Sequence, residues 1–265
     1  MTSWWGLVPA THACKTPAMT LPLADRIALV TGASRGIGFA TALALAKAGA
    51  HIVATARTQG GLEELDDEIR KAGGNSATLV PLNLTDSDGI ARLGAGLHER
   101  YGKLDILVGN AGVLGPSSPV GHIELNTFND VMAVNVSANF QLIRCMEPLL
   151  RQSDAGRAVF ITSGAANKAT AYVSPYAASK AALETLARAW AQETANTPLR
   201  VNLFNPGPIR TRMRATLMPG EDPTTLETPE QVAAFIVPLC APGWTETGKF
   251  YDYKTRTLMS FRAPA

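Results

Sequence analysis

The sequence predicts a doubly wound α/β fold, a single parallel sheet of about seven strands with helices on both faces. Three observations predict it. From residue 26 onward, short apolar runs alternate with longer amphipathic stretches, the alternation that parallel strands and their right-handed crossovers demand. A glycine-rich segment follows the first apolar run directly and leads into an alanine-rich stretch, which reads as a strand-to-helix turn. No interior linker, repeat or low-complexity run divides the 265 residues, a length that one large α/β domain fills.

Taken in chain order, runs of apolar and β-branched residues predict strands at 26–31, 51–56, 77–82, 106–109, 158–162, 200–204 and 249–253. Helical periodicity predicts helices at 36–48, 61–72, 87–101, 127–150, 175–194 and 229–239. Residues 1–20 show no periodicity, hold adjacent Trp4 and Trp5, and carry one basic residue. They fit a secretory signal poorly and read as a disordered leader before a domain at 21–265. Met19, just ahead of the regular pattern, is an alternative start.

Hydrophobic residues make up 46% and charged residues 17% of the chain, enough apolar material for a substantial core. A net charge of +2 from scattered basic residues argues against nucleic acid and against an anionic membrane surface. No apolar run approaches the ~18 residues of a membrane span. Cys14, Cys145 and Cys240 are odd in number and far apart, and the histidines lack ligand spacing. That pattern predicts neither a disulfide framework nor a metal site, and fits free thiols in a reducing, cytoplasmic setting.

Residues 31–38 read Thr-Gly-Ala-Ser-Arg-Gly-Ile-Gly. Gly32, Gly36 and Gly38 allow a tight turn and a close approach by a pyrophosphate, with Ser34, Arg35 and Ile37 between them. The helix behind offers free N–H groups and a positive dipole end. This is the dinucleotide turn of a Rossmann-type sheet. An NAD site places an acid at the end of the second strand, to accept from the ribose hydroxyl. Between residues 39 and 62 there is no acid; Arg57 and Thr58 stand at that strand end, and Arg35 lies in the turn. Guanidinium groups suit a 2′-phosphate, so NADP(H) is preferred over NAD(H).

Tyr176 and Lys180 stand four apart on a predicted helix and so share one face. An ammonium ~6 Å from a phenol, at an effective dielectric near 20, favours phenolate by roughly 3 kcal/mol, about 2 pKa units. That spacing predicts a tyrosine tuned for proton exchange. Ser163 follows an apolar strand at its carboxyl end, where open α/β sheets bind ligands. Asn135 lies in an apolar stretch of the long helix at 127–150. Its amide needs partners, which a bound water reaching Lys180 would supply.

Together these residues resemble the short-chain dehydrogenase/reductase family in its single-domain form, from about residue 21 to the C-terminus. The turn at 31–38 matches the family's TGxxxGxG, and Asn135, Ser163, Tyr176 and Lys180 match its catalytic tetrad. Pro206, Gly207, Ile209 and Thr211 match the segment that meets the nicotinamide end. The resemblance also places Asn83, Leu84, Asn110, Ala111, Gly112, Tyr176 and Lys180 on the cofactor. SDAG at 153–156, YAASK at 176–180 and TRMRA at 211–215 are most similar to a bacterial subgroup of YciK-like oxidoreductases.

Three positions depart from the family pattern. Gly109 replaces the first Asn of NNAG, Asn83 replaces an Asp beside the adenine, and Tyr251-Asp252-Tyr253-Lys254 replaces a glycine-rich end. The resemblance implies hydride transfer between NADP(H) and a carbonyl compound or secondary alcohol, with Tyr176 as acid and base and Ser163 holding the substrate oxygen. Substrate selection would fall to residues 165–174 and 212–227. The long helices imply a homodimer or homotetramer. The competing classes are a non-catalytic dinucleotide-binding redox sensor or scaffold, and an epimerase or dehydratase on the same frame.

Overall fold

The computed structural model describes residues 21–261; the leader expected at 1–20 lies outside the described residues. Strands β1 (Ile27–Thr31), β2 (His51–Ala56), β3 (Thr78–Pro81), β4 (Ile106–Gly109), β5 (Arg157–Ile161), β6 (Arg200–Asn205), β7 (Lys249–Asp252) and β8 (Thr257–Ser260) form one sheet in the order 3-2-1-4-5-6-7-8. Every pairing through β7 is parallel. Helices α1 (Gly36–Lys47), α2 (Gln59–Lys71) and α3 (Ser87–Tyr101) are the first crossovers. They are followed by α4 (Leu125–Met132), α5 (Ala138–Arg151), the short α6 (Ala165–Lys168), α7 (Ser174–Glu193), α8 (Arg212–Leu217) and α9 (Pro229–Cys240).

Period-two burial explains the two layers. Ala28 and Val30 of β1, Ile52 and Ala54 of β2, and Val159 and Ile161 of β5 enter the core with residues of α1, α2 and α9. Leu29, Val53, Ala158 and Phe160, one residue out of phase, enter the opposite core with α3, α5 and α7. Each central strand is therefore apolar on both sides. Strand order reverses between β1 and β4, so their carboxyl ends diverge and open a crevice there.

The expected doubly wound parallel sheet is present, with one added edge strand and one helix that differs from expectation. The sheet has eight strands: β8 turns back through Tyr253–Arg256 and pairs antiparallel with β7, from Lys249 opposite Ser260 to Asp252 opposite Thr257. All four of its residues are exposed, so no buried face wrote an alternation into the sequence. The helix expected at 127–150 is interrupted by a π-type turn at Ala133–Ser137. The Asn139 side-chain amide donates to the Asn135 carbonyl at 2.8 Å, taking an acceptor near the widened turn.

The family departure at Gly109 has a steric cause. A Cβ on Gly109 would stand 2.3 Å from the Phe160 ring and 3.0 Å from the Asn139 side chain. Phe160, fully buried on neighbouring β5, fills the space that a side chain on β4 would take. Gly109→Ala is expected to lower stability by about 1–3 kcal/mol through overpacking, measured by urea unfolding.

Candidate active site

The glycine turn sits over the crevice and is braced from below. The Thr31 hydroxyl accepts from the backbone N–H groups of Asn110 and Ala111, both at 3.0 Å, and donates to the Val108 carbonyl at 3.3 Å. The Asn110 side-chain amide donates to the Thr31 carbonyl at 2.9 Å and the Gly32 carbonyl at 3.3 Å. Gly36 has φ +58°, a left-handed backbone that glycine adopts freely. A Cβ on Gly38 would stand 2.3 Å from the Asn110 amide and 2.4 Å from the Gly32 carbonyl. The turn can be this flat only with glycine there. Ser34, Arg35 and Ile37 occupy it as the sequence predicts, and the first N–H groups of α1 end in it with no acid in the first turn.

Arg57 and Thr58 lie exposed just beyond β2, and Arg35 is exposed in the turn. Among the described residues neither arginine joins an ion pair. Asn83 is exposed, its side-chain oxygen accepting from the Thr85 N–H at 3.3 Å, and Leu84 beside it is buried. The carboxyl end of β6 completes the rim. Gly207 donates its N–H to Asn205, Ile209 is buried, and Thr211 caps α8 by accepting from Arg214. Pro206 stands at the strand end. The Thr211 methyl lies 3.6 Å from the place of a Gly36 Cβ, so the rim meets the glycine turn.

Tyr176 and Lys180 share a face of α7, with the Lys180 Nζ 5.8 Å from the Tyr176 ring centroid. The Nζ donates to the Ile161 carbonyl at 2.8 Å. Ser163, two residues past β5's Ile161, puts its hydroxyl beside the Tyr176 phenol. Burial pushes the Tyr176 phenol above its ordinary value, and Ser163 pulls the other way. The depression expected from Lys180 is not what this arrangement produces. Desolvation dominates at both groups: burial also brings Lys180 down to about 8, with Glu184 opposing.

Asn135 is fully buried. Its side-chain oxygen accepts from the Val113 N–H at 2.8 Å, and its amide donates to the Val113 carbonyl and the Ser179 hydroxyl, each at 2.9 Å. These side-chain bonds tie the π-type turn to the loop after β4 and to α7. Gly112 lies in that loop, where a Cβ would stand 3.2 Å from the Asn135 side-chain oxygen and 3.5 Å from the Lys180 Nζ.

Spacing alone does not single out Ser179, Glu184, Thr162 or Asn205. Glu184, three per cent exposed, accepts from the Thr162 hydroxyl at 2.6 Å. Asn205 accepts from the Gly164 N–H at 3.0 Å, holding the turn after Ser163 against β6. The one available signal was the run Tyr176, Lys180, Glu184 at four-residue steps.

A cavity of about 420 Å³ opens beside this rim, lined in part by Arg210, Thr211, Arg212, Met218 and Leu226. It falls within the expected substrate segment. Arg214 and Glu221 form a two-pronged pair, both contacts 2.6 Å, across that segment. Arg214 is thereby engaged, while Arg212 is exposed.

The short chain dehydrogenase family matches residues 26–222. The uncharacterized oxidoreductase YciK of Escherichia coli is 39% identical over 212 residues, 79% of this chain and 84% of its own. The NADPH-dependent pterin aldehyde reductase of Arabidopsis thaliana is 33% identical over 191 residues, 72% of this chain and 78% of its own. Among solved structures, a Shigella flexneri short-chain dehydrogenase complexed with NADP superposes with a TM-score of 0.85 at 36% identity, covering 89% of this chain and 99% of that one. An Escherichia coli short-chain dehydrogenase complexed with NADPH gives 0.84 at 37% identity, covering 89% and 99%. The turn, the crevice and the extent of these matches place the chain in the short-chain dehydrogenase family of oxidoreductases.

Proposed function

We propose that this protein is an NADP(H)-dependent oxidoreductase acting on a carbonyl compound or its secondary alcohol, with Tyr176 as general acid and base. The observation that carries the proposal is the meeting of Ser163, Tyr176 and Lys180, with Lys180 facing Gly112 in the loop whose Asn110 braces the glycine turn. Residues of the glycine turn would hold the pyrophosphate, and the N–H groups at the start of α1 favour its charge. Arg35 and Arg57, free of ion pairs among the described residues, would receive a 2′-phosphate. Structural relatives were solved with NADP and NADPH, which supports the same choice. When bound, the nicotinamide supplies or accepts the hydride.

The chain's own residues manage the proton and the oxygen. Ser163 donates a hydrogen bond to the substrate oxygen. Tyr176, a phenol that burial pushes above its ordinary value, gives that oxygen its proton during reduction and takes it back in the reverse direction. Lys180, still largely an ammonium at pH 7 with a value of about 8, stabilises the phenolate left behind. Asn135 holds α7 to the loop after β4 through Ser179 and Val113. The cavity beside α8 would take the remainder of the substrate.

The assembly we propose is a homo-oligomer. Leu125, Phe128 and Phe140 on α4 and α5 are exposed at 71%, 36% and 47%, an apolar outlay that a second copy would cover.

Tyr176→Phe is expected to cut turnover of a carbonyl substrate by about 10²–10⁴-fold while the affinity for NADPH, read by fluorescence titration, stays unchanged; a sensor or scaffold would show no turnover in either form. Arg57→Asp should weaken NADPH binding while leaving NADH binding nearly as it was, and equal losses for both would argue against the arginine assignment. Light scattering should give a mass at least twice that of one chain.

A further inference from the structure

One buried charge on α7 is unused by the mechanism just described. Glu184 lies one helical turn beyond Lys180, is three per cent exposed, and sits in the layer between α7 and the end of β5. One carboxylate oxygen accepts from the Thr162 hydroxyl at 2.6 Å, and the other from the Asn167 amide at 3.5 Å. A buried carboxylate is costly unless it is hydrogen-bonded and balanced by charge, so its retention here calls for a reason. Thr162 immediately precedes Ser163, and Asn167 belongs to α6, which follows it. The carboxylate thus grips both sides of the segment that presents the serine.

We propose that Glu184 is a positioning residue of the active site, whose carboxylate keeps Lys180 protonated and fixes the strand end that carries Ser163. This rests on the assignment of Tyr176 and Lys180 made above. The two effects come from one group. Its charge lies along the same helix face as the Lys180 ammonium, whose hydrogen bond goes to the uncharged Ile161 carbonyl, and its oxygens meet the Ser163 segment.

The other charged and titratable groups around the pair are accounted for. Tyr176 lies on the far side of Lys180 on α7. Arg188, one turn past Glu184, donates its Nε to the Glu184 backbone carbonyl at 3.2 Å and its terminal nitrogen to Thr185. Lys168 on α6 and Asp130 on α4 are exposed. Arg200 on β6 is spent on the carbonyls of Thr197, Leu199 and Thr245. Among the described residues, Glu184 is the acid whose field raises the proton affinity of Lys180 against the cost of burial. Burial pushes Glu184 itself upward, and the Thr162 hydroxyl, the Asn167 amide and the charges of Arg188 and Lys180 draw it back.

The test follows Lys180 directly, by NMR titration of isotope-labelled lysine in the protein without cofactor, with Lys180→Ala to assign its signal. In Glu184→Gln, which keeps the shape and can still bond Thr162, the Lys180 midpoint should fall by about one pH unit. The alkaline decline of turnover with NADPH should move down by a similar interval. Thr162→Val, which leaves the charge, should lower turnover without displacing the Lys180 midpoint. A midpoint unchanged in Glu184→Gln, or a turnover loss equal at every pH, would overturn the proposal. If Glu184→Gln does not fold, the wild-type protein decides: the Glu184 carboxyl signal must be that of a carboxylate at the pH where Lys180 titrates, and a protonated Glu184 there refutes it. Absence of turnover in the wild-type protein would instead refute the assignment of Tyr176, with the titration still readable.

Discussion

The Thr31 hydroxyl joins what the chain topology would otherwise let separate. At the reversal of strand order, β1 and β4 send their connections to opposite faces, and nothing in the sheet ladder holds the segments beyond their ends together. One hydroxyl, accepting two N–H groups from the β4 loop and donating back to Val108, closes that gap. Asn110 doubles the tie from the other side. The flatness of the glycine turn, the course of the Asn110–Gly112 loop and the space in front of Lys180 all follow from this joint. Glycine supplies the permission to turn; the threonine supplies the place.

Much of this was legible in the sequence because both faces of the sheet are buried. Strands such as Leu29–Val30 and Ala158–Phe160 must be apolar at every position, and helices between them must be amphipathic, so the elements announce themselves. The glycine turn, Ser163 and the Tyr176–Lys180 spacing were equally visible, since each sits at a fixed offset from an element boundary. What escaped was whatever lacked a buried face or a period. β8 is exposed throughout and pairs only with β7. The π-type turn at Ala133–Ser137 differs from a continuous helix by a hydrogen-bond shift that leaves the apolar pattern nearly intact. Glu184 escaped because its partners Thr162 and Asn167 are distant in sequence and meet it only in the fold.

The electrostatics of the site show burial winning over neighbouring charge. Spacing argued for an ammonium acting on a phenol across a helical turn. In the folded protein both groups lose water, and each is driven toward its neutral form: the phenol upward, the ammonium down to about 8. Only the lysine is brought toward neutral pH, by its desolvation; the tyrosine moves the other way and is tuned by burial rather than by its neighbour's charge. The surrounding polar groups are satisfied within the protein, Asn135 through Val113 and Ser179, and Ser179 through the Tyr176 carbonyl. Such a fully paired network fixes side-chain directions where an apolar core would fix only volume.

The hairpin formed by β7 and β8 also bears on how the molecule keeps to itself. A sheet that stopped at β7 would leave that strand's row of backbone groups open to any passing strand, the template from which fibrils grow. Folding the tail back consumes that row and leaves a rim only four residues long. The opposite rim, β3, ends in Pro81, whose ring nitrogen has no hydrogen to give. Both margins of the sheet are therefore blunted against stacking, by a reversed strand on one side and an imino acid on the other.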